Sequence, residues 1–90
     1  MPDATVVLGR LEDAPTDTTV EELDVRDLPP PEPMTATFEH LEALPDGTVL
    51  LQVNDRAPKF IYPKLAERGY AHETVETTEA VYTAIWAAEG

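Results

Sequence analysis

The chain has 90 residues, with 18 Asp plus Glu against 6 Lys plus Arg, a formal net charge of −12, and no cysteine. That length holds one small domain with a single core and no separate catalytic lobe. The absence of cysteine excludes disulfides, thiolate metal sites and cysteine nucleophiles, and the lack of clustered positive charge argues against nucleic acid as a partner.

Residues 1–20 contain Asp3, Glu12, Asp13, Asp17, two prolines and the run Thr16-Asp17-Thr18-Thr19. Polar, proline-containing termini rarely recover the entropy of ordering, so this segment reads as a loose acidic leader. Its apolar patch, Thr5-Val6-Val7-Leu8, admits a second reading as an extra edge strand. From Glu21 onward, Leu23 and Val25 alternate with Glu22, Asp24 and Arg26, the period of two of a half-buried strand.

After a proline cluster, Met34, Phe38 and Leu41 fall at i, i+4 and i+7, with Thr37 and Leu44 flanking and Thr35, Glu39 and Glu42 on the opposite side. This spacing predicts a helix from about Pro33 to about Leu44. Pro45-Asp46-Gly47 is a turn signal, and Thr48-Val49-Leu50-Leu51-Gln52-Val53 reads as a central strand.

Asn54-Asp55 offers a cap for a second helix over Pro58 to Arg68, with Ile61 and Leu65 on its buried side and Gly69 after its end. Pro63 removes one backbone donor there, which predicts a kink or an irregular first turn. Two further strands, Tyr70 to about Glu76 and Val81 to about Ala87, flank the turn Thr77-Thr78-Glu79 and pair as a hairpin. The predicted fold is α+β: a two-layer sandwich in the order β-α-β-α-β-β, with a mixed four-stranded sheet and both helices on one face. The domain spans residues 21–88.

With 42% hydrophobic residues the chain can fold, and its acids are spread along its whole length while lysine is scarce. Such a surface suits high salt, where screening quenches self-repulsion, and points to a halophilic source. No charged segment leads into an apolar run at the amino terminus and no eighteen apolar residues occur together, so a soluble, cytoplasmic protein is expected.

The segment Leu23-Asp24-Val25-Arg26-Asp27-Leu28-Pro29-Pro30-Pro31-Glu32-Pro33-Met34, followed by Gly47, Asp55 and Gly69, resembles the TusA/SirA sulfur-carrier family. Closer still is the resemblance to its relative, domain of unknown function 2249, through Asp55-Arg56 and Pro58-Lys59-Phe60-Ile61-Tyr62-Pro63. Sulfur carriers hold a persulfide on the cysteine of a Cys-Pro-x-Pro motif at the start of the first helix. This chain has Pro30-Pro31-Glu32-Pro33 there, with Pro30 at the cysteine position, so the carrier atom is missing. A thiolate or other anion at that point would need backbone N–H donors and the positive helix end. Pro30, Pro31 and Pro33 have no N–H, and Glu32 already places negative charge there. The proline stretch therefore reads as a rigid scaffold element.

Other candidates lie elsewhere. His40 and His72 are too isolated to indicate a metal site and read as ordinary histidines. Asp55-Arg56 reads either as a functional pair at a strand carboxyl end or as a helix cap with a local ion pair. On the last strand, one register directs Val81, Thr83 and Ile85 to the helices. It leaves Tyr82, Ala84 and Trp86 on the bare sheet face, beside Leu50, as a partner-binding patch; the opposite register buries Trp86. Asp55, Arg56, His72, Tyr82 and Trp86 are thus the candidate contacts.

No catalytic constellation is evident, and neither a cofactor nor a metal is expected. The expected role is a non-catalytic interaction or regulatory module. Its partner would be a protein, which the resemblance would place in redox or sulfur metabolism. The alternatives are an accessory subunit of a sulfur-transfer or redox system and a small-molecule or metal-binding domain. No membrane or nucleic-acid partner is expected, and the chain should be a monomer or a weak dimer.

Overall fold

The computed structural model describes residues 19–29, 32–45 and 47–88. The expected strand at residues 5–8, the leader, and Pro30 and Pro31 lie outside these. Four strands and two α-helices follow in the order β1 (Val20–Asp24), α1 (Glu32–Ala43), β2 (Val49–Asn54), α2 (Tyr62–Glu67), β3 (Tyr70–Glu76) and β4 (Val81–Ala87). A 3-10 turn, Lys59–Ile61, leads into α2. The sheet order is β1-β2-β4-β3, with β1 parallel to β2 and the other two pairings antiparallel. This is the expected α+β sandwich.

Local chemistry explains the boundaries. Gly47 (φ 79°) and Gly69 (φ 85°) take the left-handed conformation in which a β-carbon is disfavoured, the first in the turn before β2 and the second just past α2. In the first turn Thr48 N–H donates to Pro45 O at 3.2 Å. Pro63 sits in the opening turn of α2, where the missing N–H costs no helical bond, and the irregular start takes the form of the 3-10 turn. The expected cap is not found: Asp55 lies four residues before that turn, whose own cap, Pro58, makes no side-chain hydrogen bond. Asp55 N–H instead donates to Asn54 Oδ1 at 2.8 Å. Between β3 and β4 the Thr77 hydroxyl receives the N–H groups of Glu79 and Ala80, closing the hairpin.

The apolar residues form two clusters. One joins the helices to the sheet through Leu41, Ile61 and Leu65 against Leu50 and Ile85, with Met34, Phe38 and Tyr62 half-buried around them. Full burial of such side chains stabilises by roughly 1.5–3 kcal/mol each. Arg68 lies over the Phe38 ring, 4.4 Å from its centroid, and links the end of α2 to α1. The second cluster, Val49, Leu51, Val53, Val75, Ala80, Tyr82 and Ala84, draws on β2, β3, β4 and the hairpin turn, and Val20 of β1 packs against it. Successive strand residues point to opposite faces, so these side chains lie on the face away from the helices.

Between helices and sheet runs a polar seam. Gln52 Nε2 donates to Thr37 Oγ1 at 2.8 Å, and Thr37 Oγ1 donates to Pro33 O at 2.7 Å. Both side chains are buried, and Gln52 Oε1 has no hydrogen-bond partner among the described residues. Farther along, the Tyr62 hydroxyl meets Thr74 Oγ1 at 2.6 Å, and Thr74 Oγ1 meets Thr83 Oγ1 at 3.3 Å.

Candidate functional site

The parallel strands β1 and β2 end side by side, with Val25 N–H donating to Val53 O at 2.9 Å, and their chains then part. One turns through Arg26 toward α1 and the other through Asp55 and Arg56 toward the 3-10 turn. Strand carboxyl ends that separate in this way leave a crevice, the usual ligand position in parallel α/β sheets. Here it is a cleft of about 300 Å³. Val25, Leu28, Pro33 and Pro58 give it apolar walls, and Arg26, Asn54, Asp55, Arg56 and Phe60 complete the lining.

The two guanidinium groups differ. Arg26 is held by Asp24, with Nε 3.0 and 3.2 Å from the carboxylate oxygens and Nη2 at 2.7 Å. The Arg26 side chain, and then its backbone N–H, hold the Asp24 carboxyl below the usual range. Among the described residues Arg56 makes only a long 3.8 Å contact with Asp55, and its side chain is 83% exposed. Phe60, which lines the same cleft, is 60% exposed, the one large hydrophobic residue so placed among the described residues.

The structure thus brings Asp55 and Arg56 to the cleft and places the other candidates elsewhere. His72, on β3, stacks on Tyr62 at 4.1 Å with an 11° interplanar angle. His40 Nε2 lies 3.0 Å from Glu21 Oε1, tying α1 to β1. Among the described residues no three His, Cys, Asp or Glu side chains gather as metal ligands. Pro33 opens the first turn of α1 and lines the cleft.

On β4 the register is the one that sends Ile85 to the helices and Tyr82, Ala84 and Trp86 to the other face. The expectation of a bare aromatic patch is overturned, because Tyr82 and Ala84 are buried, Trp86 is half-buried, and Leu50 faces the helices.

Sequence reasoning missed Phe60, Arg26 and Asn54 as lining residues. Phe60 carried a signal: Ile61 and Leu65 define the buried side, and an aromatic ring one residue off that side has no core to enter.

Burial pushes the His72 imidazole below its ordinary value. The unfolded chain then binds its proton more readily, since an exposed histidine titrates near about 6.5. The neutral stack on Tyr62 stabilises fully above that pH and loses its contribution as pH falls through the folded value. His72→Phe keeps an aromatic ring that cannot titrate. In urea unfolding from about pH 7.5 to about pH 5.5, wild type should lose stability relative to this variant on the acid side. A constant difference would rule the coupling out.

No helix among the described residues is long and apolar enough to cross a membrane. No curated protein and no solved structure significantly matches the sequence. Residues 22–86, from within β1 to Trp86 of β4, match the family described as "Uncharacterized conserved protein (DUF2249)". The matched stretch includes every described residue that lines the cleft, and the chain belongs to this family.

Proposed function

We propose that this domain is a non-catalytic interaction module that docks a protein partner at the cleft between β1 and β2. The observation that carries the reading is that two exposed side chains, Phe60 and Arg56, line one cleft with apolar walls. Aromatic and arginine side chains around a recess that can be desolvated are the composition of interface hot spots. The fitting partner segment presents an apolar side chain to the recess and a carboxylate to Arg56. Resemblance to the sulfur carriers, in a chain with no thiol to carry sulfur, supports a regulatory or accessory place beside redox or sulfur-transfer enzymes.

A photo-crosslinking residue at position 60, compared with one at exposed Glu42 on α1, tests the proposal in extract of the native host. The expected result is a crosslink from position 60 to a defined protein, absent from position 42 and abolished by Arg56→Glu. Identical products from both positions, or a product indifferent to Arg56→Glu, would refute it. The cleft volume also lies at the lower end of the range for small-molecule sites. A compound that raises the melting temperature of wild type but not of Phe60→Ala would favour that second reading.

A further inference from the structure

Lys and Arg together number 6 in a chain of formal net charge −12, so what each cation does is informative. Arg10 lies outside the described residues. Arg26 is held by the Asp24 carboxylate and Arg68 lies over the Phe38 ring, so both are engaged within the fold. The other three, Arg56, Lys59 and Lys64, fall together in one stretch that holds both lysines of the chain, and all three are exposed. The ion pairs among the described residues are Arg26 with Asp24, His40 with Glu21 and the long contact of Arg56 with Asp55, which leaves Lys59 and Lys64 without a carboxylate partner there. The acids avoid the same stretch: residues 56–66 contain no Asp or Glu, the longest such interval in the sequence.

This stretch is one side of the cleft. Arg56, Pro58 and Phe60 line it, Lys59 shares the 3-10 turn with Phe60, and Lys64 follows on α2. Helical positions four apart are neighbours, so Lys64 comes one turn after Phe60. Across the cleft Arg26 adds no net charge, because Asp24 neutralises it. We infer that residues 56–64 form a basic lip that selects an acidic protein surface: Arg56, Lys59 and Lys64 take carboxylates that surround the apolar side chain docked at Phe60. The inference rests on the docking reading and adds to it the charge class of the partner and two contact residues, Lys59 and Lys64.

The net charge of the chain argues the other way, since it repels an acidic partner as a whole. Range decides between the two. At about 0.15 M salt the screening length is about 8 Å, so acids dispersed over the rest of the molecule are muted at the lip, while carboxylates seated against its cations are not. A basic partner surface would set like charges against one another at the lip. Nucleic acid is a poor fit, because three cations on an otherwise acidic molecule release few counterions.

Three synthetic peptides test the inference on the full chain. They share a central leucine-phenylalanine pair, flanked by aspartate and glutamate, by asparagine and glutamine, or by lysine and arginine. Binding is followed at the backbone amides of Leu28, Arg56, Lys59 and Phe60 from about 0.15 M to about 1 M salt, over which the screening length falls to about 3 Å. The acidic peptide should shift these amides at severalfold lower concentration than the neutral one, the basic peptide should leave them in place, and the acidic peptide should weaken severalfold as salt rises. Lys59→Gln/Lys64→Gln should weaken it severalfold as well. Ala87→Asp/Ala88→Asp reaches the same net charge at the amino-terminal end of β2, away from the cleft, and should bind as wild type does. Equal weakening by the two double variants overturns the inference, as does salt-independent binding or an oligothymidylate that shifts these amides at lower concentration than the acidic peptide. Equal binding of the acidic and neutral peptides at the cleft overturns it while leaving the docking reading intact. If no peptide shifts these amides the basic lip is also refuted, and the crosslink from position 60 then judges the docking reading by itself.

Discussion

Leu50→Ala and Leu51→Ala should each cost the protein about 2–5 kcal/mol of stability, although the two side chains point in opposite directions. Both are 0% exposed. Leu50 fills the layer between sheet and helices, and truncating it leaves a void bounded by Leu41, Ile61, Leu65 and Ile85. Leu51 fills the opposite layer with Val49, Val53 and Tyr82. A domain of this kind has roughly 5–15 kcal/mol in total, so either variant should be visibly destabilised in urea. The comparison between them is the informative part. A sheet with one covered face would lose much at Leu50 and little at Leu51. Near-equal losses require two cores, and a loss at Leu51 below about 1 kcal/mol would show that the second face is open to water.

The second large effect concerns the polar seam. Thr37→Val keeps shape and helix propensity but removes the acceptor for Gln52 Nε2, leaving both ends of a buried amide unpaired. Such orphaning costs about 1–3 kcal/mol. Gln52→Leu acts differently, because it removes the amide together with its unpartnered Oε1, while Thr37 still donates to Pro33 O. The single Gln52 variant should therefore be near wild type, and the double variant should regain most of what Thr37→Val loses. Urea unfolding of the four proteins yields the coupling directly. If Gln52→Leu proved the more damaging single change, the amide would have to serve something other than Thr37.

Much of this fold was legible because its punctuation is local. Both strands of the hairpin begin and end where alternation and the Thr77-Thr78-Glu79 turn place them. Gly47 and Gly69 mark positive-φ positions that few other residues accept. Asp55 misled for the opposite reason. A cap signal is a residue type next to an apolar pattern, and it does not reveal that Pro58 and Pro63 delay the helix through a 3-10 turn.

The covered second face had a signal too. A strand buried at every position, as β2 is, reads as a continuous apolar run rather than an alternation. Val49-Leu50-Leu51 shows such a run, but the two-layer template hides its meaning. Of the candidate site, Asp55-Arg56 was visible as a sequence pair. The cleft they share with Arg26 and Phe60 was not, since it depends on the parallel pairing of strands some thirty residues apart, such as Val20 with Val49.

The prolines have a consequence that no contact records. Pro29 and Pro33 bracket the approach to α1, Pro45 stands between α1 and β2, and Pro58 and Pro63 flank the 3-10 turn. None interrupts a described strand. Each fixes its own φ and restricts the residue before it, in the unfolded chain as in the folded one. The connections on the helix side therefore have less freedom to lose when the domain forms. For a proline whose native φ is unstrained, that effect amounts to about 0.4–1 kcal/mol. In a domain this small, part of the stability of the fold resides in the stiffness of its denatured state.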